Sequence, residues 1–175
     1  MPCPEWIERL CETHRYPPPV APVTLVETHI SWVLLTGERV YKIKKPVDFG
    51  FLDFSTLERR RHFCEEEVRL NRRFAPTLYL GVKPITGTPD DPRINGAGAP
   101  FEYAVQMMQF DQEALLDRQI VADAFTSQEA FALGTTLARL HQALLPLPVD
   151  SPFGDAQGVW QPVAANFEAL RPRLT

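Results

Sequence analysis

Lys42, Lys44 and Glu67 are the residues whose types and spacing suit a binding site. The two lysines stand one residue apart in the run VYKIKK over 40–45. It reads as a β-strand stopped by Pro46, which has no N–H to give to a ladder. Side chains alternate across a strand, so Tyr41 and Ile43 share one face and Lys42 and Lys44 the other. Two ammonium groups on one face between apolar neighbours suit a surface that receives an anion. A solvated or edge face guarded by lysines is the alternative. Glu67 comes four residues after Phe63 and three before Leu70, which puts it on the apolar stripe Phe63, Cys64, Leu70 and Phe74 of a helix. A carboxylate buried alone is costly, so on such a stripe it calls for a cation, and the strand lysines are the nearest candidates. An ordinary glutamate at the border of the stripe is the alternative.

The elements that must position these groups follow from periodicity and turn chemistry. Strands are expected over 23–27 and 30–35, paired through a turn at 27–29, with a second turn at 36–39 leading into the lysine strand. Thr28, His29 and Ser31 carry donors that an anion could use, but a plain hairpin turn selects the same residues. The loop 46–54 holds Phe49, Phe51, Leu52 and Phe54 and is too apolar to be a free linker. The helix is expected over 56–73, with Ser55 as N-cap, Glu58 completing a capping box, and Ala75-Pro76 ending it. On this reading Arg59, Arg60 and Arg61 face water and are balanced by Glu65, Glu66 and Glu67 as i,i+4 partners.

A fourth strand is expected over 79–85, with Pro84 at an edge or near its end, then an exposed hairpin tip over 87–100. The fifth strand, 101–107, alternates cleanly through Phe101, Tyr103, Val105 and Met107. Short helices are expected over 4–13, 113–120 and 163–170. A longer helix opens on a second capping box, Thr126 to Glu129, and carries Leu133, Leu137, Leu140 and Leu144. The run 16–22 is rich in proline and reads as a stiff linker.

The 175 residues, 45% hydrophobic and 23% charged, fit one ordinary domain with a sizeable core. A net charge of −4 argues against a nucleic-acid partner, which calls for a basic surface. Cys3, Cys11 and Cys64 make an odd count without framework spacing, as in a reducing compartment, and Cys3, Cys11 and His14 match no zinc pattern. No signal-peptide pattern opens the chain, and no apolar run reaches the ~18 residues of a membrane span. No membrane partner is expected, and the expected location is cytoplasmic.

The order of elements, α+β with a helix between the third and fourth strands of five, is that of a kinase small lobe leading into a helical large lobe. The segments THISWVLLTG (28–37), VYKIKKP (40–46), GFLDFSTLE (50–58), CEEEVRLN (64–71), EYAVQM (102–107) and LARLH (137–141) resemble the aminoglycoside phosphotransferase-like branch of the protein-kinase-like superfamily. More narrowly, they resemble bacterial proteins that join such a domain to a C-terminal P-loop ATPase domain. The resemblance covers nearly all of the chain. It implies an antiparallel small lobe over 23–110, preceded by a helix and linker over 1–22 and followed by the start of a helical large lobe over 111–175. It further implies ATP and Mg2+ as cofactors, with Lys42 on the phosphates, Lys44 as the alternative in the same phase, and Glu67 holding the lysine. Met107, Met108 and Gln109 then belong to the hinge that receives adenine.

The catalytic signature of such kinases is a His-Gly-Asp loop with a downstream asparagine, then a metal-binding aspartate. It is missing here: Gly154-Asp155 follows Phe153, and no asparagine stands at the required spacing. The chain is therefore expected to be the nucleotide-binding half of a small-molecule phosphotransferase, inactive alone, and completed by a large lobe or an ATPase domain outside it. The alternatives are a non-catalytic kinase-shaped scaffold and an unrelated α+β binding domain.

Overall fold

The first three strands form a meander because each is bounded by a turn that closes on itself. They are β1 (Thr24–Glu27), β2 (Ser31–Leu35) and β3 (Arg39–Lys44). In the β1–β2 turn, Thr28 donates from its N–H and its hydroxyl to the Ser31 carbonyl, at 2.9 and 3.1 Å, and accepts from the Ser31 N–H at 3.0 Å. In the β2–β3 turn Gly37 adopts φ +95°, a conformation open to glycine, and a Cβ there would lie 2.8 Å from that of Ala21. The computed structural model describes residues 3–16, 21–148, 151 and 154–171; part of the proline-rich linker and the C-terminal tip lie outside them. The chain divides into two compact units, 1–124 and 125–175.

The first unit is a mixed α+β structure around an antiparallel sheet of order β1-β2-β3-β6-β4-β5. β4 (Tyr79–Thr88), β5 (Asp91–Ile94) and β6 (Glu102–Met108) complete it. The sheet therefore has six strands where the sequence pattern suggests five. Part of the expected exposed tip returns along β4, pairing Ile85 with Ile94 and Thr88 with Asp91. Gly87, at φ +84°, permits that return, since any Cβ would collide with the Asp91 carbonyl. Pro92 is tolerated because β5 is an edge strand. Pro84 is not at the expected edge: it stands mid-strand in β4, pairs with Tyr103 on one side and on the other accepts at its carbonyl from the Asn95 N–H at 2.7 Å, a contact that asks no N–H of the proline.

Each face of this sheet carries a core. On one, Trp32, Leu34, Tyr41, Ile43, Ile85 and Ala104 pack against Ile7, Leu10 and Tyr16 of the N-terminal segment. Its helix α1 (Glu5–Arg9) is shorter than expected and lies on the sheet rather than ahead of it. On the other face lies α2 (Leu57–Asn71), whose Cys64 and Val68 pack with Val105, Tyr79, Val82, Tyr103 and Met107.

Two expectations for α2 are corrected. Its N-cap is Thr56, which accepts from the Arg59 N–H, and not Ser55. Ser55 is taken by Asp53, to which it donates from its N–H at 2.9 Å and its hydroxyl at 2.6 Å. The buried line runs through Arg60, Cys64 and Val68 at i, i+4 and i+8, whereas Leu70 and Phe74 are 43% and 58% exposed. The stripe is thus rotated about the helix axis from the one read in the sequence, and Glu67, beside Val68, still turns inward.

After β6 a 3-10 turn and α3 (Leu116–Val121) close the first unit. In the second, α4 (Ser127–Gln142) opens on the expected box, with Thr126 and Glu129 each bonding the other's backbone N–H. α5 (Ala156–Leu170) is twice as long as expected, because Asp155 caps it by accepting from the Gly158 N–H at 2.5 Å and the helix continues past Pro162. Among the described residues no helix is long and apolar enough to cross a membrane.

Candidate functional site

Alternation along β3 sends Tyr41 and Ile43 into the core shared with α1 and leaves Val40, Lys42 and Lys44 facing α2. There both ammonium groups converge on one carboxylate. Lys42 Nζ donates to Glu67 Oε1 at 2.8 Å and Lys44 Nζ to Glu67 Oε2 at 2.7 Å. The expected strand–helix pair is present, and it is a triad. Its members differ in exposure: the side chains of Lys42, Lys44 and Glu67 are 29%, 5% and 13% accessible. Lys44 also lies over the Phe54 ring, 4.9 Å from its centroid. Burial pushes the Glu67 carboxyl up, but the Lys44 charge and the Lys42 hydrogen bond outweigh it and hold it below the ordinary carboxylate value. With two cations on one anion, the cluster keeps an excess positive charge, and Lys42 carries it toward solvent.

A second buried pair lies at the other end of α2. Arg60 Nε donates to both Glu102 oxygens at 2.8 and 3.0 Å, and Arg60 Nη1 donates to the Phe54 and Ser55 carbonyls. Arg60 is therefore not on a wet helix face, as its neighbours suggested, but is an anchor between α2, β6 and the loop before α2. The signal was its position four residues before Cys64. Burial pushes the Glu102 carboxyl above its ordinary value, against the pull of Arg60. Phe54 joins the two clusters, since its carbonyl holds Arg60 and its ring underlies Lys44.

Lys45, unassigned in the sequence, turns to the opposite face. It donates to Glu27 Oε1 at 2.5 Å and to the Thr28 carbonyl at 2.6 Å, which ties down the β1–β2 turn. That turn spends the Thr28 donors on Ser31, as a plain hairpin would. At the end of β6, Met107 packs with the α2 core, Met108 donates its N–H to the Leu78 carbonyl, and Gln109 donates its N–H to the Glu38 carbonyl, both at 2.9 Å. The Gln109 side chain accepts from the Gly37 N–H at 2.8 Å. The segment expected to serve as a hinge therefore adjoins the β2–β3 turn, with these two N–H groups already engaged. Ser31, cross-strand from Lys44 and fully buried, has a hydroxyl without a hydrogen-bond partner. Among the described residues no cluster of three or more His, Cys, Asp or Glu forms a metal site.

No known protein-family profile matches this chain, and no solved structure matches it. Uncharacterized proteins of Mycobacterium bovis and of two strains of Mycobacterium tuberculosis are each 35% identical over 116 residues. The match takes in 66% of this chain and 22% of each relative, so the chain spans about a fifth of the length of the curated relatives it matches.

Proposed function

We propose that the α2 face of the sheet holds the phosphates of ATP, and that the chain is the nucleotide-binding part of a kinase-like small-molecule phosphotransferase. The observation that carries this reading is the triad: two lysines on one carboxylate, with the more exposed lysine offering its charge outward. Glu67 fixes the direction of Lys42, so an arriving phosphate meets a cation already aimed. Along the same face Val33, Leu35 and Met107 are half-buried and Val40 is buried, which supplies an apolar floor for a planar base. Because the N–H groups of Met108 and Gln109 are engaged, adenine recognition falls to the stretch from Phe110 onward and to carbonyl groups.

The residues present fit a nucleotide's phosphates. Among the described residues no group of three or more His, Cys, Asp or Glu stands ready to hold Mg2+. Phosphate transfer, its acceptor, and a completing lobe or ATPase domain belong to the reading of the whole protein.

The test is thermal denaturation of the chain with ATP and Mg2+, beside Lys42→Ala and Glu67→Ala. ATP at about a hundred times its Kd should stabilise the wild type by about 2.7 kcal/mol, and neither variant to that extent. Equal shifts in all three proteins, or none in the wild type, would overturn the proposal. One observation favours a second reading, a non-catalytic kinase-shaped module: the β1–β2 turn, tied by Lys45, has its Thr28 donors spent and makes a poor phosphate flap. ATP binding without turnover by the full-length protein would select it.

A further inference from the structure

We infer that Lys44 is the permanent counter-ion of Glu67, a positioning residue whose presence lets Lys42 leave the carboxylate for an incoming anion. This rests on the nucleotide reading for the identity of the anion, but not for the division of labour between the lysines.

The argument begins with accessibility. Both lysines lie within 2.8 Å of Glu67, on separate oxygens, yet the Lys44 side chain is 5% exposed and that of Lys42 29%. Lys44 is enclosed between the carboxylate and the Phe54 ring. Moving it would strip a buried cation of both its anion and its aromatic face, without water to replace them. Lys42 has solvent on one side and can rotate toward a ligand. If Glu67 had Lys42 alone, handing that lysine to a phosphate would leave a buried carboxylate unpaired. The carboxylate would then have to take up a proton, and in doing so lose its hold on the site. A second, immobile lysine removes that conflict.

The other groups around Glu67 do not replace it. Tyr79, from β4, is a neutral phenol whose own ionisation is pushed up, by burial first and by Glu67 second. Cys64, one turn earlier on α2, is pushed up to about 12 by burial and stays a neutral thiol. Arg60, the remaining buried cation of α2, is engaged by Glu102 on β6.

Two measurements test this on the chain as it stands. The first needs no ligand: NMR titration of the Glu67 carboxyl carbon, assigned by its loss in Glu67→Gln. In Lys42→Met the carboxyl should still titrate below the ordinary carboxylate value, because Lys44 remains. In Lys44→Met it should move up by more than in Lys42→Met. A larger rise in Lys42→Met overturns the inference, and that variant alone decides the matter if Lys44→Met does not fold, since a Glu67 no longer depressed would mean Lys44 was not its counter-ion.

The second is calorimetry of ATP binding in buffers of different ionisation enthalpy near pH 7. Wild type and Lys44→Arg should bind with no net proton uptake at Glu67, and Lys44→Met with uptake approaching one proton, placed on the Glu67 carboxylate as Lys42 leaves. Uptake of a proton by the wild type would refute the inference. A wild type that binds no ATP would instead sink the nucleotide reading, with the ligand-free titration still deciding the role of Lys44.

Discussion

The two ends of α2 are fastened to the same sheet face by buried ion clusters of opposite design. Arg60 and Glu102 form a closed pair: one cation, one anion, 10% and 5% exposed, with Arg60 Nη1 donating to two carbonyl groups besides. Glu67 with Lys42 and Lys44 forms an open one: two cations on one anion, with one of them near solvent. In the closed pair desolvation prevails and the carboxyl is pushed up. In the open cluster burial is outweighed by the two lysines together, Lys44 by its charge first, and the carboxyl is held down. A balanced buried pair fastens elements but has nothing to offer a ligand. An unbalanced one keeps a charge in reserve. The two ends of α2 thus differ in the charge left over once the pairs are made.

The largest expected effect comes from breaking the closed pair on one side only. Arg60→Met or Glu102→Leu alone leaves a buried charge without a partner and should cost about 3–5 kcal/mol in urea denaturation. The double replacement removes both charges and should recover most of that, ending near wild type or above it. The coupling energy of this cycle is the measurement. Additive losses would mean that the pair's partners are compensated elsewhere, and the contrast between the clusters would fail.

The pH dependence of stability sharpens the same contrast and is expected to be smaller. A carboxyl depressed in the folded state contributes stability that is complete above its unfolded value, ~4.3, and is lost as pH falls through the lower folded value. Glu67 is of this kind. Glu102 is of the opposite kind: its folded form takes up a proton first on acidification, so between its folded and unfolded values falling pH favours the native state. Glu67→Gln should therefore flatten the acid limb of the stability curve, by at most about 1.4 kcal/mol per pH unit for one proton, while lowering stability at pH 7. An acid limb unchanged by Glu67→Gln would show that this carboxyl is not held down.

How much of this was legible in the sequence depends on whether the signal was local. The phase of Lys42 and Lys44 follows from strand alternation, and Glu67 was found because a carboxylate interrupted an apolar stripe. The stripe itself was misplaced: Phe63 and Leu70 outweighed Val68 in the reading, although Val68 is the residue that packs. Arg60 was hidden by its neighbours, since three consecutive arginines look alike until the helix is rotated against a sheet. Ser55 and Thr56 both make plausible caps, and the choice was made by Asp53, two residues before Ser55. The partner of Arg60 lies 42 residues away on β6, and the sixth strand depends on a glycine that allows a close return. Those are tertiary facts, which periodicity does not carry.

The smallest expected effect marks the floor of the comparison. Arg69 and Glu66 form an ion pair on α2 of the same chemistry as Arg60 and Glu102, with two N–H groups donating to the carboxylate at 2.8 and 2.5 Å. Their side chains are 53% and 33% exposed. Water solvates both partners whether or not they meet, so the geometry carries little net free energy. Arg69→Ala should leave the urea midpoint within scatter of the wild type and unaltered by added salt. A loss comparable to that of Arg60→Met would mean that hydrogen-bond geometry, and not removal from solvent, sets the strength of the ion pairs along this helix, and the argument from exposure that separates Lys42 from Lys44 would fall with it.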